Sequence, residues 1–238
     1  MRRYLCLGWA VVLSSAMPAG AFWFGNPARS MEKGMTAFEM MYDTSNRDIK
    51  LRNNQSSTVE LDSHRFCIQG RTAMNDVAQF YGRLLPGLGR INVENNSFDP
   101  HMWGGGLGLQ LAPPEPIGIV HFGVLGGGDF SAGMRKRPQG QTGNDKVDWT
   151  EGYAALGASV SPIESVSVYG GASLIKDYIN FDMFDAGSNS VVKSHLKNDR
   201  VFGGFLGAEF CPNKSWGLGA EMHFGNETLW GLMAQYVF

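Results

Sequence analysis

Residues 229–238, LWGLMAQYVF, decide the fold. Alternate positions counted back from the end are Phe238, Tyr236, Ala234, Leu232 and Trp230, and the positions between them are Val237, Gln235, Met233 and Gly231. Successive side chains of a β-strand point to opposite sides, so a two-residue alternation ending on an aromatic describes a strand with one oily face. Alternation alone leaves two readings open, because an oily face can cover a dry core or meet lipid.

The same pattern runs upstream. Leu218, Ala220, Met222 and Phe224 oppose Gly217, Gly219, Glu221 and His223, with Gly225, Asn226 and Glu227 reading as a tight hairpin. Strands are also expected over about 201–210, 166–183, 149–160, 117–130, 102–111, 77–85, 59–73 and 35–42. That makes about ten, with eight as the alternative if the two least regular are not separate members. The connections near 74–75, 113–114, 161–162 and 212–213 read as short turns, whereas 44–57, 86–101, 131–148 and 184–199 read as long polar loops. Short turns on one side and long loops on the other suit an antiparallel up-and-down barrel that crosses a membrane. Aromatics at strand ends, including Trp103, Trp149, Trp216 and Trp230, are expected at the two membrane interfaces.

The face opposite the oily one carries Glu39, Arg65, Arg71, Arg83, Gln110, Glu209, Glu221, His223 and Gln235 among many glycines. These residues are expected to line a lumen. Arginines and carboxylates can pair across a narrow interior, and the glycines leave room for those long side chains. A sheet edge left open in hydrocarbon strands unpaired backbone groups, so the sheet must close on itself.

At the other end, Arg2 and Arg3 precede an apolar run that closes at Pro18, Ala19, Gly20 and Ala21. This is the layout of a secretory signal peptide over 1–21. Residues 22–33 then form a periplasmic N-terminal segment and 34–238 a transmembrane β-barrel domain. Loss of the leader removes two arginines and no acidic residue from a chain whose formal charge is −2, which leaves no electrostatic footprint for nucleic acid. Cys6 lies inside the apolar run, against a lipoprotein, and Cys67 and Cys211 are far apart in sequence but could pair in an oxidising compartment.

The chain resembles the outer-membrane β-barrel proteins of Gram-negative bacteria, in the small-barrel group of OmpA-like, OmpX-like and porin-like members. The signal-like leader and the terminal Leu232, Ala234, Tyr236 and Phe238 carry the resemblance. It implies a place in the cell outer membrane, contact with its lipids and lipopolysaccharide, and a terminal strand read as an assembly signal by the barrel assembly machinery and periplasmic chaperones. The family's eight-stranded members have fewer strands than this chain is expected to have.

No cofactor is expected, and no Cys, His or Asp spacing matches a metal site. An acyl hydrolase needs a nucleophile, a histidine and a carboxylate within reach of one another. Ser63 and His64 with Asp62, His101 beside Asp99, His195 beside Ser194, and His223 near Glu221 approach this only loosely; the last pair, two apart on one strand, shares a face. The basic run Arg135, Lys136 and Arg137 could touch lipopolysaccharide phosphates. The expected role is structural or surface-binding and non-enzymatic, carried by the long loops; a narrow porin-like channel and a lipid A-modifying barrel enzyme are the alternatives.

Overall fold

The computed structural model describes residues 25–51, 54–93, 96–98, 101–137, 143–185, 190–198, 201–225 and 228–238, and they form strands and turns with no helix among them. The expected signal peptide over 1–21, including Cys6, lies outside the described residues. The strands are β1 (Thr36–Leu51), β2 (Asn54–Ala73), β3 (Ala78–Leu84), β4 (Gly87–Val93), β5 (Asn96–Phe98), β6 (His101–Leu111), β7 (Val120–Lys136), β8 (Asn144–Ile163), β9 (Val166–Asp185), β10 (Ser190–Asn198), β11 (Phe202–Phe210), β12 (Trp216–Phe224) and β13 (Thr228–Val237).

Several of these are pieces of one stave. β3 and β4 follow each other along β2 and β6 with Leu85 and Pro86 between them, and β10 and β11 follow each other along β9. Counted by stave, the wall is a closed antiparallel barrel of ten strands. The terminal strand performs the closure: β13 pairs with β1 through Phe38↔Tyr236 and Tyr42↔Leu232, and β1 pairs onward with β2. Closure leaves no edge within the wall, which is the condition a sheet must meet in hydrocarbon.

Side-chain parity sorts the residues. Phe38, Met40, Phe80, Leu84, Leu107, Leu156, Leu206, Leu218, Met222 and Leu232 stand exposed on the outer face. Their neighbours one residue along the same strands, among them Glu39, Arg83, Glu221 and Met233, are buried inside. This is the reverse of a water-soluble barrel, where the dry side is the centre. A continuous exposed belt of this size exceeds the few hundred Å² that soluble monomers usually show.

Two expectations about the wall need correction. The stretches read as long loops are largely paired strand: β1 continues to Leu51, β2 begins at Asn54, β7 runs to Lys136 and β8 begins at Asn144. The sequence of these extensions mixes polar and charged residues with scattered apolar ones, so the oily alternation that reveals a strand within the belt is missing there. β8 and β9 have 20 residues each, about twice the 9–11 that cross a bilayer. Their upper parts therefore stand proud of the belt, and β10 joins β1 through Ile49↔Asn198 above the short β12–β13 hairpin. The strand expected from Ile117 begins at Val120, because Ile117 and Val120 instead close a small turn.

At the opposite end the turns are fixed by asparagine. Asn75 Oδ1 accepts the N–H groups of Val77 and Ala78, and Asn213 Oδ1 those of Ser215 and Trp216, the bonding of an Asx-turn. Trp216, Tyr236 and Phe238 meet edge to face just above, with 4.9 Å between successive ring centres.

Candidate functional site: the filled lumen

The interior is built from the floor upward. Residues 25–35, which include the described part (25–33) of the segment expected to be periplasmic, fold into the short-turn mouth of the barrel. Pro27 rests on Gly123 and Gly157, which face each other across β7 and β8, and a Cβ at Gly123 would collide with the Pro27 carbonyl. Gln110 Nε2 donates to the carbonyls of Asn26, Pro27 and Arg29 at 3.0–3.2 Å, and Gln79 Nε2 donates to that of Arg29 at 2.7 Å. Asn26 donates to Ser159 at 3.1 Å and to Glu209 at 3.5 Å, while Arg29 donates to Gln235 at 2.7 Å and pairs with Glu209 at 3.5 Å. A buried loop needs partners for its backbone. Here the glutamines supply them, and Met31 packs with Ala37, Ala73 and Val237 beside them.

Above this floor, Arg71 bonds both Gln110 and Glu39, and Gln69 bonds Glu39 as well. Arg83 occupies the centre. It donates to Gln69 at 2.5 Å, pairs with Asp129 at 3.5 Å, and lies over the rings of Tyr81 and Tyr153 at 4.8 and 5.2 Å. The two phenols bond each other at 3.1 Å. Each ring has its space because the residue opposite it in the ladder is glycine: Tyr81 faces Gly108, Tyr153 faces Gly127 and Tyr169 faces Gly207. A Cβ at any of the three would run into the ring.

Toward the long hairpins, Arg65 pairs with Asp43 at 3.1 Å and covers the Trp149 ring at 5.2 Å, and the Trp149 indole donates to Asp177 at 2.9 Å. Val147, Ile179 and Phe181 fill the space beside them. Asp145 then holds Arg135 at 3.3 Å and Arg137 at 3.0 Å.

All the residues expected in the lumen are buried on the inner face, from His223 at 0% exposure to Arg65 at 5%. Trp149 is a correction: expected at a membrane interface, it is 3% exposed and points inward, because its place in the alternation is that of Glu151 and Tyr153. Trp103 and Trp216 do face outward, and Trp230 is half-buried on the outer side. Tyr81, Tyr153, Tyr169 and Phe205 are buried in the lumen as well, beyond the polar set expected from the sequence. The signal was present in their parity and in the glycines opposite.

Of the loose catalytic candidates, the pair His223 and Glu221 is brought together. His223 bonds Glu221 at 2.6 Å and packs on Phe205, fully enclosed. His64 faces outward with Tyr42 and Thr44 at 3.2 and 3.1 Å, and His195 bonds Asn180 at 2.5 Å. Asp99 lies outside the described residues, as do the side chains of Asp62, Ser63 and Ser194. The basic run splits too: Arg135 and Arg137 turn to Asp145, and Lys136 alone of the three is exposed on the outer face. Cys67, on the inner wall, and Cys211, at the turn after β11, are separate free thiols.

No family model matches the chain and no curated protein is similar to it. Solved structures do share its fold. An outer-membrane channel from Pseudomonas putida F1 is similar at 10% identity with a TM-score of 0.52, over 91% of this chain and 100% of that one. The translocator domain of the autotransporter NalP from Neisseria meningitidis is similar at 8% identity and 0.50, over 87% and 89%. The outer membrane protein OprG from Pseudomonas aeruginosa is similar at 10% identity and 0.50, over 87% and 97%. At such identities the likeness is one of fold: a small outer-membrane β-barrel.

Proposed function

We propose that this barrel sits in the outer membrane closed to solutes and acts through its long-hairpin end, as a structural or surface-binding element of the envelope. The observation that carries this reading is the filled lumen: residues 25–35 seat in one mouth, and Arg83 with Tyr81 and Tyr153 crosses the middle. The exposed oily belt supports a membrane setting, since lipid is the solvent in which it costs nothing. In this setting the β1–β2 and β7–β8 hairpins project on the outer side, and Lys136, Lys146 and Asp148 of β7–β8 are exposed there to partners. The strand Leu232, Ala234, Tyr236 and Phe238 serves as the mark by which assembly machinery and chaperones handle the chain, and residues 1–21 as the export leader.

The test is osmotic swelling of vesicles that contain the refolded full-length mature chain. In a small sugar, swelling is expected at the rate of protein-free vesicles. Swelling that rises with protein content would replace this reading with the narrow channel.

A further inference from the structure

On the outer face, where β4 begins, the wall dips into a groove of about 480 Å³. Its floor is Pro86 and Gly87. One side is formed by Tyr42, His64 and Phe66, the other by His101 and Trp103. Since neighbouring strands lie about 4.8 Å apart, the sides on β2 and β6 stand about 10 Å from each other, room for one hydrocarbon chain. The volume falls within the ~300–1,000 Å³ of small-ligand sites. Its existence follows from the sequence. Pro86 accepts the N–H of Phe66 at 3.0 Å with no N–H to return, and it places a compact ring where other outward positions carry Leu, Phe or Trp.

We propose that this groove binds a phosphate-bearing outer-leaflet lipid, with an acyl chain along Phe66, Pro86 and Trp103 and the phosphate on His64 and His101. The inference rests on the membrane reading, and three observations choose this occupant. The groove is continuous with the exposed belt through Leu84 and Leu107, so what reaches it is what covers the belt. Trp103 is 71% exposed, a large ring left uncovered by the protein itself. The polar groups gather on the long-hairpin side only. His64 uses Nδ1 toward Tyr42 and Thr44 and so turns Nε2 away from them, and Lys136, two residues past the Met134 that faces His101, adds an outward ammonium a diagonal step away. Imidazole N–H groups and an ammonium above an apolar slot match a phosphate above an acyl chain.

The full-length mature barrel, refolded in nonionic detergent with equimolar lipid A and its fully dephosphorylated form, is examined by native mass spectrometry. Wild type is expected to keep one lipid A per barrel. Pro86→Trp fills the groove and restores a ladder N–H, and it should lower retention about tenfold. Leu84→Trp, on the same face but outside the groove, should retain as much as wild type. Trp103→Ala removes one side without touching the ladder and should repeat the loss. The double variant His64→Gln/His101→Gln should still hold a chain but take lipid A and its dephosphorylated form alike. Equal retention by Pro86→Trp and wild type, no preference for lipid A in wild type, bound detergent alone, or pairing of two barrels through this face in place of lipid would each overturn the proposal. A heat-modifiable, non-swelling barrel that keeps no lipid A sinks the groove and leaves the closed-barrel reading standing.

Discussion

The two ends of the lumen are closed by different means. At the short-turn end a piece of backbone does it: the carbonyls of Asn26, Pro27 and Arg29 are gathered by Gln110 and Gln79, and Pro27 sits on two facing glycines. At the long-hairpin end side chains act alone, through Arg65 with Asp43, Trp149 with Asp177, and Arg135 and Arg137 with Asp145. Backbone groups cannot be left unpaired when buried, so a segment held by several carbonyls leaves only as a unit. Side-chain pairs can be lost singly. The floor should therefore fail all at once and the upper end gradually.

The largest effect is expected where the two regions meet. Arg83→Ala removes the partner of Asp129 and Gln69 and the cation between two rings, and leaves a buried carboxylate exposed to a low-dielectric interior. It should cost about 3–5 kcal/mol, read as a fall in the urea midpoint of the barrel in vesicles. Gly123→Val tests the floor alone. Its side chain takes the place of the Pro27 carbonyl, which should cost about 1–3 kcal/mol and make the bond after Arg29 cleavable by trypsin in the folded barrel. If that bond stays resistant, the floor is not one unit.

Trp149→Phe tests the upper end alone. The ring stays and the indole N–H to Asp177 goes, for about 1–3 kcal/mol. Amide exchange should quicken in β8 and β9 above Trp149 and stay unchanged at residues 26–29; equal quickening at both ends would erase the distinction. The smallest effect is that of salt. Arg135 is partly exposed, so 1 M salt should loosen the β7–β8 hairpin near Asp145 and spare the floor, a difference within about 1 kcal/mol visible by the same exchange experiment.

Much of the wall can be read in the sequence because the membrane imposes one rule on it. Leu218, Ala220, Met222 and Phe224 alternate with Glu221 and His223, and a period of two with one oily face survives any local accident. The lumen residues share that clarity, since they are the other half of the same alternation. Trp149 shows where composition misleads: a tryptophan near a strand end suggests an interface, yet its neighbours two residues along, Glu151 and Val147, fix it inside. The upper hairpins are hidden for a different reason. Strands in which apolar residues are scattered among polar ones carry no oily period, and only the ladder itself, as in Arg135↔Asp145, reveals them. The floor is the least legible part, because residues 25–35 have no period at all and their place depends on glycines nearly a hundred residues or more away in the chain.

The central claim is the division of the wall into an oily outside and a sealed inside. A bimane label placed on single cysteines at Leu107, Met222 and Gly219, in a barrel with Cys67→Ala and Cys211→Ser reconstituted into vesicles, tests it most directly. The account expects Leu107 and Met222 labels to be quenched by spin-labelled lipid and spared by aqueous iodide, with the Gly219 label spared by both. Iodide reaching the first two, with lipid quenching none of them, would contradict it.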